Sequence, residues 1–99
     1  MSVTRDEAIA RLNQSQENLR RAGVEHVYLF GSTARDEART DSDIDLFFDM
    51  AREDFGIFDL MDVRELVSRI LPGKTEMIPR DGLHPVLRKK IEMSAIQVF

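Results

Sequence analysis

The chain has no cysteine among its 99 residues, which excludes both a disulfide framework and a thiolate metal site. No apolar run is long enough to span a bilayer, and the opening MSVTRDEAIARL lacks an apolar signal core. The expectation is therefore a cytoplasmic protein with no membrane partner. A basic excess is missing too. With 14 Lys and Arg against 18 Asp and Glu, formal net charge is -4, so direct binding of nucleic acid through many phosphates is not expected. A local phosphate site stays open. There is no internal repeat, low-complexity tract or linker. What is present, 42% hydrophobic and 32% charged residues, is ordinary globular material, and the length suits one domain over 1–99.

The segment VTRDEAIARLNQSQENLRRAGVE predicts one helix. Thr4 and Glu7 match a capping box, Ile9, Leu12 and Leu19 keep helical spacing, Arg20 and Arg21 suit the last turn, and Gly23 suits the stop. Strand chemistry follows in Glu25 to Phe30, with Val27 and Leu29 on one face. Residues 32–42 predict a polar connection that begins with a short helical turn at Thr33 to Asp36. SDIDLFFD predicts a second strand, with Asp43, Asp45 and Phe47 on one face and Ile44, Leu46 and Phe48 on the other.

FGIFDLMDVRELVSRILPG places Leu60, Val63, Val67 and Ile70 at helical intervals before Pro72-Gly73, so it predicts an amphipathic helix over one face of the sheet. Phe55, Ile57 and Phe58 are expected as core or helix-entry residues. KTEMI predicts a third strand. LHPVLRKKIEMSA predicts a helix with Val86, Leu87 and Ile91 inward, Arg88, Lys89 and Lys90 outside, and that basic run near its C-terminal end. AIQVF supplies a fourth strand, completing an order of α, β, β, α, β, α and β. His26 and His84 lack a partner at metal-ligand spacing and are expected to be structural or solvent-facing. Tyr28 is expected to pack in its strand.

The chemistry concentrates in FGSTARDEARTDSDIDLFF. Residues i and i+2 of a strand point the same way with Cα atoms roughly 7 Å apart, so Asp43 and Asp45 can aim both carboxylates at one point. That arrangement suits a hard divalent cation such as Mg2+, which takes oxygen ligands at about 2.0–2.1 Å and commonly completes its shell with phosphates and water. Gly31 lets the backbone approach a ligand, Ser32 offers a hydroxyl and an N–H to phosphate oxygens, and Arg35 lies one helical turn on, where its guanidinium could donate to them. Singly, each fragment reads as a turn, a solvated loop or a surface charge. Together they describe a site for a Mg-nucleoside triphosphate.

On GSTAR and SDIDLFF, and more loosely through KTEMIPRDGLHPVLRKKIEMSAIQVF, the sequence resembles the DNA polymerase β-like nucleotidyltransferases, in particular the minimal nucleotidyltransferases of prokaryotes. The resemblance covers nearly the whole chain. It implies an α/β (α+β) nucleotidyltransferase fold, a mixed sheet of three or four strands with helices packed against it. It further implies that Gly31 and Ser32 hold the triphosphate of ATP, that Asp43 and Asp45 bind magnesium, and that a third carboxylate, here Glu76, completes the metal and catalytic set. Two positions depart from the family pattern. Asp36 stands where glycine is usual, which predicts a poor fit to a tight turn with positive φ, and Glu76 stands where aspartate is common.

Many minimal nucleotidyltransferases act as antitoxins that transfer AMP from ATP to a tyrosine hydroxyl of a HEPN-domain toxin, so the resemblance implies that partner as well. The reaction expected is in-line attack of an acceptor hydroxyl on the α-phosphorus with pyrophosphate leaving, Glu76 sharing a metal or accepting the hydroxyl proton, and Ser32 and Arg35 stabilising the leaving group. The rivals are an antitoxin of little or no activity that binds its toxin as a plug, and a nucleotide-binding subunit or antibiotic-modifying transferase working with another chain. The acceptor and the oligomeric state, homomeric or heteromeric, stay open at this point.

Overall fold

The computed structural model describes residues 3–37 and 43–99. The part of the connection at 38–42, with Ser42 of the second strand, lies outside them. Helices α1 (Arg5–Gln14) and α2 (Gln16–Arg21) lead into strand β1 (Val24–Phe30), the short α3 (Gly31–Ala34) and strand β2 (Ile44–Met50). The long α4 (Ile57–Ile70), strand β3 (Thr75–Pro79), a 3-10 turn over Arg80–Gly82, α5 (Arg88–Ser94) and strand β4 (Ile96–Gln97) complete the order. The expected α/β mixed sheet is present, with strand order β3-β2-β1-β4.

β1 runs antiparallel to β2 and β4, while β2 and β3 are parallel and are joined through α4. Alternation then sorts the side chains. Val27, Leu29, Leu46, Phe48 and Met77 face the core, where Val63 and Val67 of α4 and Leu12 and Leu19 of the first helices meet them. The register puts three rows across the opposite, open face: Phe30, Asp45 and Glu76; then Tyr28, Phe47 and Ile78; then His26, Asp49 and the residue after β3, Arg80. Residues paired across strands share a face, so each row is a set of neighbours.

The first helix is broken where one was expected. Thr4 does cap it, accepting from Glu7 N–H at 3.2 Å, but Ser15 N–H turns back to Leu12 C=O at 3.1 Å. The run Asn13-Gln14-Ser15 is rich in side chains that compete for backbone groups, and the break lets Leu12 and Leu19 both reach the core. The short helix after β1 begins at Gly31, two residues ahead of the expected Thr33.

The last helix also differs. Val86 and Leu87, expected inside, are exposed, and the helix proper starts at Arg88. Pro85 is the reason. It keeps the residue before it out of the helical region, and the chain is bent into helix only as Leu87 and Arg88 N–H groups both donate to His84 C=O, with His84 Nδ1 accepting from Val86 N–H. The run Arg88-Lys89-Lys90 consequently forms the first turn of α5 and not the last. Arg88 offsets this placement through Asp81 at 3.6 Å and Glu92 at 3.4 Å.

Arg80 ties α5 to the open face. Its Nε and Nη2 donate to both oxygens of Asp49 at 2.7 and 3.0 Å, and Nη1 donates to Glu92 at 2.6 Å. The guanidinium also lies over the Tyr28 ring at 4.7 Å and the Phe47 ring at 5.1 Å. Phe47, stacked on Tyr28 with centroids 4.7 Å apart, is only 1% exposed although it sits on the open face. Truncating Arg80 to Met would strand two carboxylates that are only about a quarter exposed. Urea denaturation of Arg80→Met should show a loss of about 2–3 kcal/mol. A change below about 0.5 kcal/mol would mean the network is idle.

Candidate active site

The first row of the open face carries the chemistry. Phe30 ends β1 directly opposite Asp45, and Asp45 lies directly opposite Glu76 of β3. The chain turns sharply after Phe30 because Gly31 adopts φ 75, a left-handed conformation that favours glycine. A Cβ on Gly31 would lie 2.5 Å from Asp45 Oδ2. The backbone of the Gly-Ser turn and the Asp45 carboxylate therefore lie close together. Ser32 follows in α3, its carbonyl accepting from Glu37 N–H at 2.8 Å, which pins the turn.

Burial comes first among the causes that push the Asp45 carboxyl up from 3.8 to about 6; the negative charge of Glu76 is second and that of Asp43 third. A hydrogen bond with Glu76 that favours the protonated form adds to this, and Arg35 opposes it. The structure thus brings Asp43, Asp45, Glu76 and Arg35 into one electrostatic neighbourhood beside Gly31 and Ser32. Glu76, one methylene longer than aspartate, still acts on Asp45 more strongly than Asp43 does. Arg35 is exposed and engages Glu37 at 3.2 Å. Among the described residues no group of three His, Asp or Glu side chains already encloses a cation position. Carboxylates close enough to raise the pKa of one of their number have the oxygen chemistry that a hard divalent ion seeks, because phosphates and water commonly complete such a shell.

Asp36 has φ 58, so the left-handed turn is made with aspartate in place of glycine, contrary to the expected poor fit. Aspartate tolerates this region better than most residues because its short carboxylate bonds locally. Here it accepts from Arg5 N–H at 3.4 Å, at the start of α1. Sequence reasoning also missed Thr33, whose hydroxyl is buried next to Ser32 without a hydrogen-bond partner among the described residues. It missed the Arg80 network as well. Neither left a signal: a threonine in a turn and an arginine after a strand are ordinary.

A family model described as a nucleotidyltransferase domain matches residues 12–98. The chain belongs to the nucleotidyltransferase domain family. A curated relative from Methanocaldococcus jannaschii, provisionally named a protein adenylyltransferase, is 29% identical over 77 residues, covering 78% of this chain and 82% of its own length. A solved structure provisionally described as a minimal nucleotidyltransferase superposes with a TM-score of 0.82 at 30% identity, over 95% of both chains. A toxin–antitoxin structure containing AMP-PNP shares the fold, with a TM-score of 0.67 at 16% identity, over 98% of this chain and 73% of its own. The resemblance read from GSTAR and SDIDLFF is borne out, and the chain is a nucleotidyltransferase enzyme.

The Asp45–Gly31 contact gives two substitutions of opposite sign for this nucleotidyltransferase. An aspartate whose folded pKa is raised is favoured folded while protonated, so its contribution is full below 3.8 and is lost as pH rises through about 6. Above that its charge opposes folding. Asp45→Asn should therefore raise stability at neutral pH by on the order of 1–2 kcal/mol, the full shift being discounted for partial solvent screening. The gain should vanish toward acid pH in thermal denaturation. Gly31→Ala should instead destabilise by about 2 kcal/mol or more, from strain at positive φ and the clash with Oδ2.

Proposed function

We propose that this nucleotidyltransferase transfers AMP from ATP to a tyrosine hydroxyl of a HEPN-domain toxin, with magnesium bound between carboxylates and phosphates. The observation that supports the reading is the close approach of Asp45 to Gly31, a carboxylate beside the turn that would take the phosphates. Support for adenylate as the transferred group comes from the relative named for protein adenylyl transfer. Toxin–antitoxin structures that share the fold support a toxin as acceptor.

In this reading Ser32 presents its hydroxyl and backbone N–H to the triphosphate, and Gly31 lets the phosphates approach. Arg35 exchanges Glu37 for the phosphates as they arrive, balancing charge on departing pyrophosphate. Asp43 and Asp45 would hold the metal, which when bound would polarise the phosphoryl group and steady the entering and leaving oxygens. Glu76 has two roles open to it. It can share that metal or accept the tyrosine proton, since a carboxylate within hydrogen-bond reach of the acceptor hydroxyl can act as a general base. One domain suffices for these parts. No helix among the described residues is long and apolar enough to cross a membrane, which fits a cytoplasmic reaction.

The test is co-expression with the product of the neighbouring gene, followed by mass spectrometry for adenylate on tyrosine. Wild type should add AMP from α-labelled ATP with magnesium, and Asp45→Asn should lower the rate by more than about a hundredfold while retaining its circular dichroism spectrum. Transfer undiminished by Asp45→Asn would overturn the site. Toxin neutralised equally well by both proteins, without label, would show a binding antitoxin instead.

A further inference from the structure

Gly31 and Ser32, proposed above to hold the triphosphate, follow the end of β1, and Asp45 stands on β2. β3 flanks β2 on its other side, because the strand order is β3-β2-β1-β4. In-line displacement sets the entering and leaving oxygens on opposite sides of the phosphorus. With pyrophosphate leaving toward Ser32 and Arg35, the acceptor hydroxyl enters from the β3 side.

The start of β3 sets a cation there. α4 ends at Leu71, packed in the core, and the chain turns through Pro72-Gly73. Gly73 has φ 85, and a Cβ on it would meet nothing within 4 Å, so the space around the turn is open. Lys74 follows. Its carbonyl accepts from Ile44 N–H at 2.9 Å, which ties its backbone to β2, and Thr75 pairs with Ile44. Lys74 stands two residues before Glu76, so alternation gives both the open face, and the register carried back one step sets Lys74 level with Asp43. The residue is exposed.

Its charge is not committed elsewhere. Arg35 is the cation that acts on Asp45. Arg80 is taken by Asp49 and Glu92, and Arg69 by Glu65. Lys74 makes no ion pair among the described residues. The chemistry has a use for it, since a tyrosine oxygen turns negative as it sheds its proton, and Asp43 and Glu76 on that side oppose the charge.

We propose that Lys74 is the acceptor-side cation of the transfer, its ammonium donating to the tyrosine oxygen as that oxygen enters. This rests on the tyrosine-transfer reading given above. The oxygen bonds to the α-phosphorus, the bond from that phosphorus to the bridging oxygen breaks, and pyrophosphate leaves with the electron pair. The phenol proton passes to Glu76 or to water, and Lys74 keeps its own. Arg35 thus serves the leaving oxygens and Lys74 the entering one, a cation at each end of the line of displacement.

The experiment compares Lys74→Met, Lys74→Arg and Arg35→Met in the full chain, with the neighbouring gene's product as acceptor. Lys74→Met should lower kcat by about tenfold to a hundredfold, with the KM for ATP within about twofold of wild type. Lys74→Arg, which keeps the charge, should stay within about threefold of wild type. Calorimetry with α,β-methylene ATP, which cannot release pyrophosphate, should show binding unchanged in Lys74→Met and weakened at least about fivefold in Arg35→Met. Circular dichroism should be the same for all. Undiminished kcat in Lys74→Met overturns the proposal, as does an equal loss in Lys74→Arg. So does weakened analogue binding in Lys74→Met, which would put the lysine on the triphosphate, or full binding in Arg35→Met, which would remove the direction of entry. Wild type that transfers no AMP to tyrosine overturns the function itself and the role of Lys74 with it.

Discussion

The closest constraint in the molecule is the approach of the Asp45 carboxylate to the Gly31 backbone. A single Cβ would bring them to 2.5 Å, so the turn after β1 and the second strand are locked to one another at a point where no side chain fits. Everything proposed about catalysis depends on that approach. It follows from the pairing of Phe30 with Asp45, itself fixed by the antiparallel register in which Val27 and Leu29 meet Phe48 and Leu46 in the core. A slip of one residue would turn Asp45 into the core and Leu46 out to solvent. Burial of the aliphatic face thus aims the acidic one.

The same face shows two ways of handling negative charge. Asp49 and Glu92 are neutralised by Arg80, whose guanidinium is further held over Tyr28 and Phe47. Asp45, Glu76 and Asp43 are left to repel each other, and burial with repulsion lifts Asp45 to about 6. Charges grouped in this way, opposed by Arg35 alone and standing beside the Gly31 turn, are what the proposed metal and triphosphate site would use.

Much of this was legible in the sequence because it is local. Alternation in SDIDLFF sorted Asp45 from Leu46, Gly23 marked a stop that the structure makes at φ 106, and Leu60, Val63, Val67 and Ile70 drew the buried or half-buried stripe of α4. The GSTAR and SDIDLFF spacing carried the family. What was missed depends on partners distant in sequence or on competition between weak preferences. The break at Ser15 sets helix propensity against the reach of Leu12 and Leu19 to the core. Arg80 finds Asp49 from 31 residues away. Val86 and Leu87 kept an inward helical spacing that Pro85 prevented, and of the two places expected for Ile57 and Phe58, core or helix entry, they take the second, opening α4 with most of their surface in solvent.

Asp36 and Glu76, the two departures from the family pattern, turn out to be of different kinds. Asp36 occupies the left-handed turn usually given to glycine, and its carboxylate is drawn to Arg5 N–H at the start of α1. A charge near the phosphates would oppose them; one engaged with a helix N-terminus is stabilising there. The substitution therefore exchanges backbone freedom for a link between the turn that follows β1 and α1. Glu76 changes reach instead. On β3 opposite Asp45, its longer arm still places enough negative charge beside Asp45 to outweigh Asp43 among the causes of the shift. The carboxylate stands exposed on an edge strand, where the longer arm meets no close packing, and the proposed roles of holding a cation or taking a proton would use that reach. In a rigid, buried position the extra methylene would have been a misplacement. At the edge it is an adjustment the side chain can make.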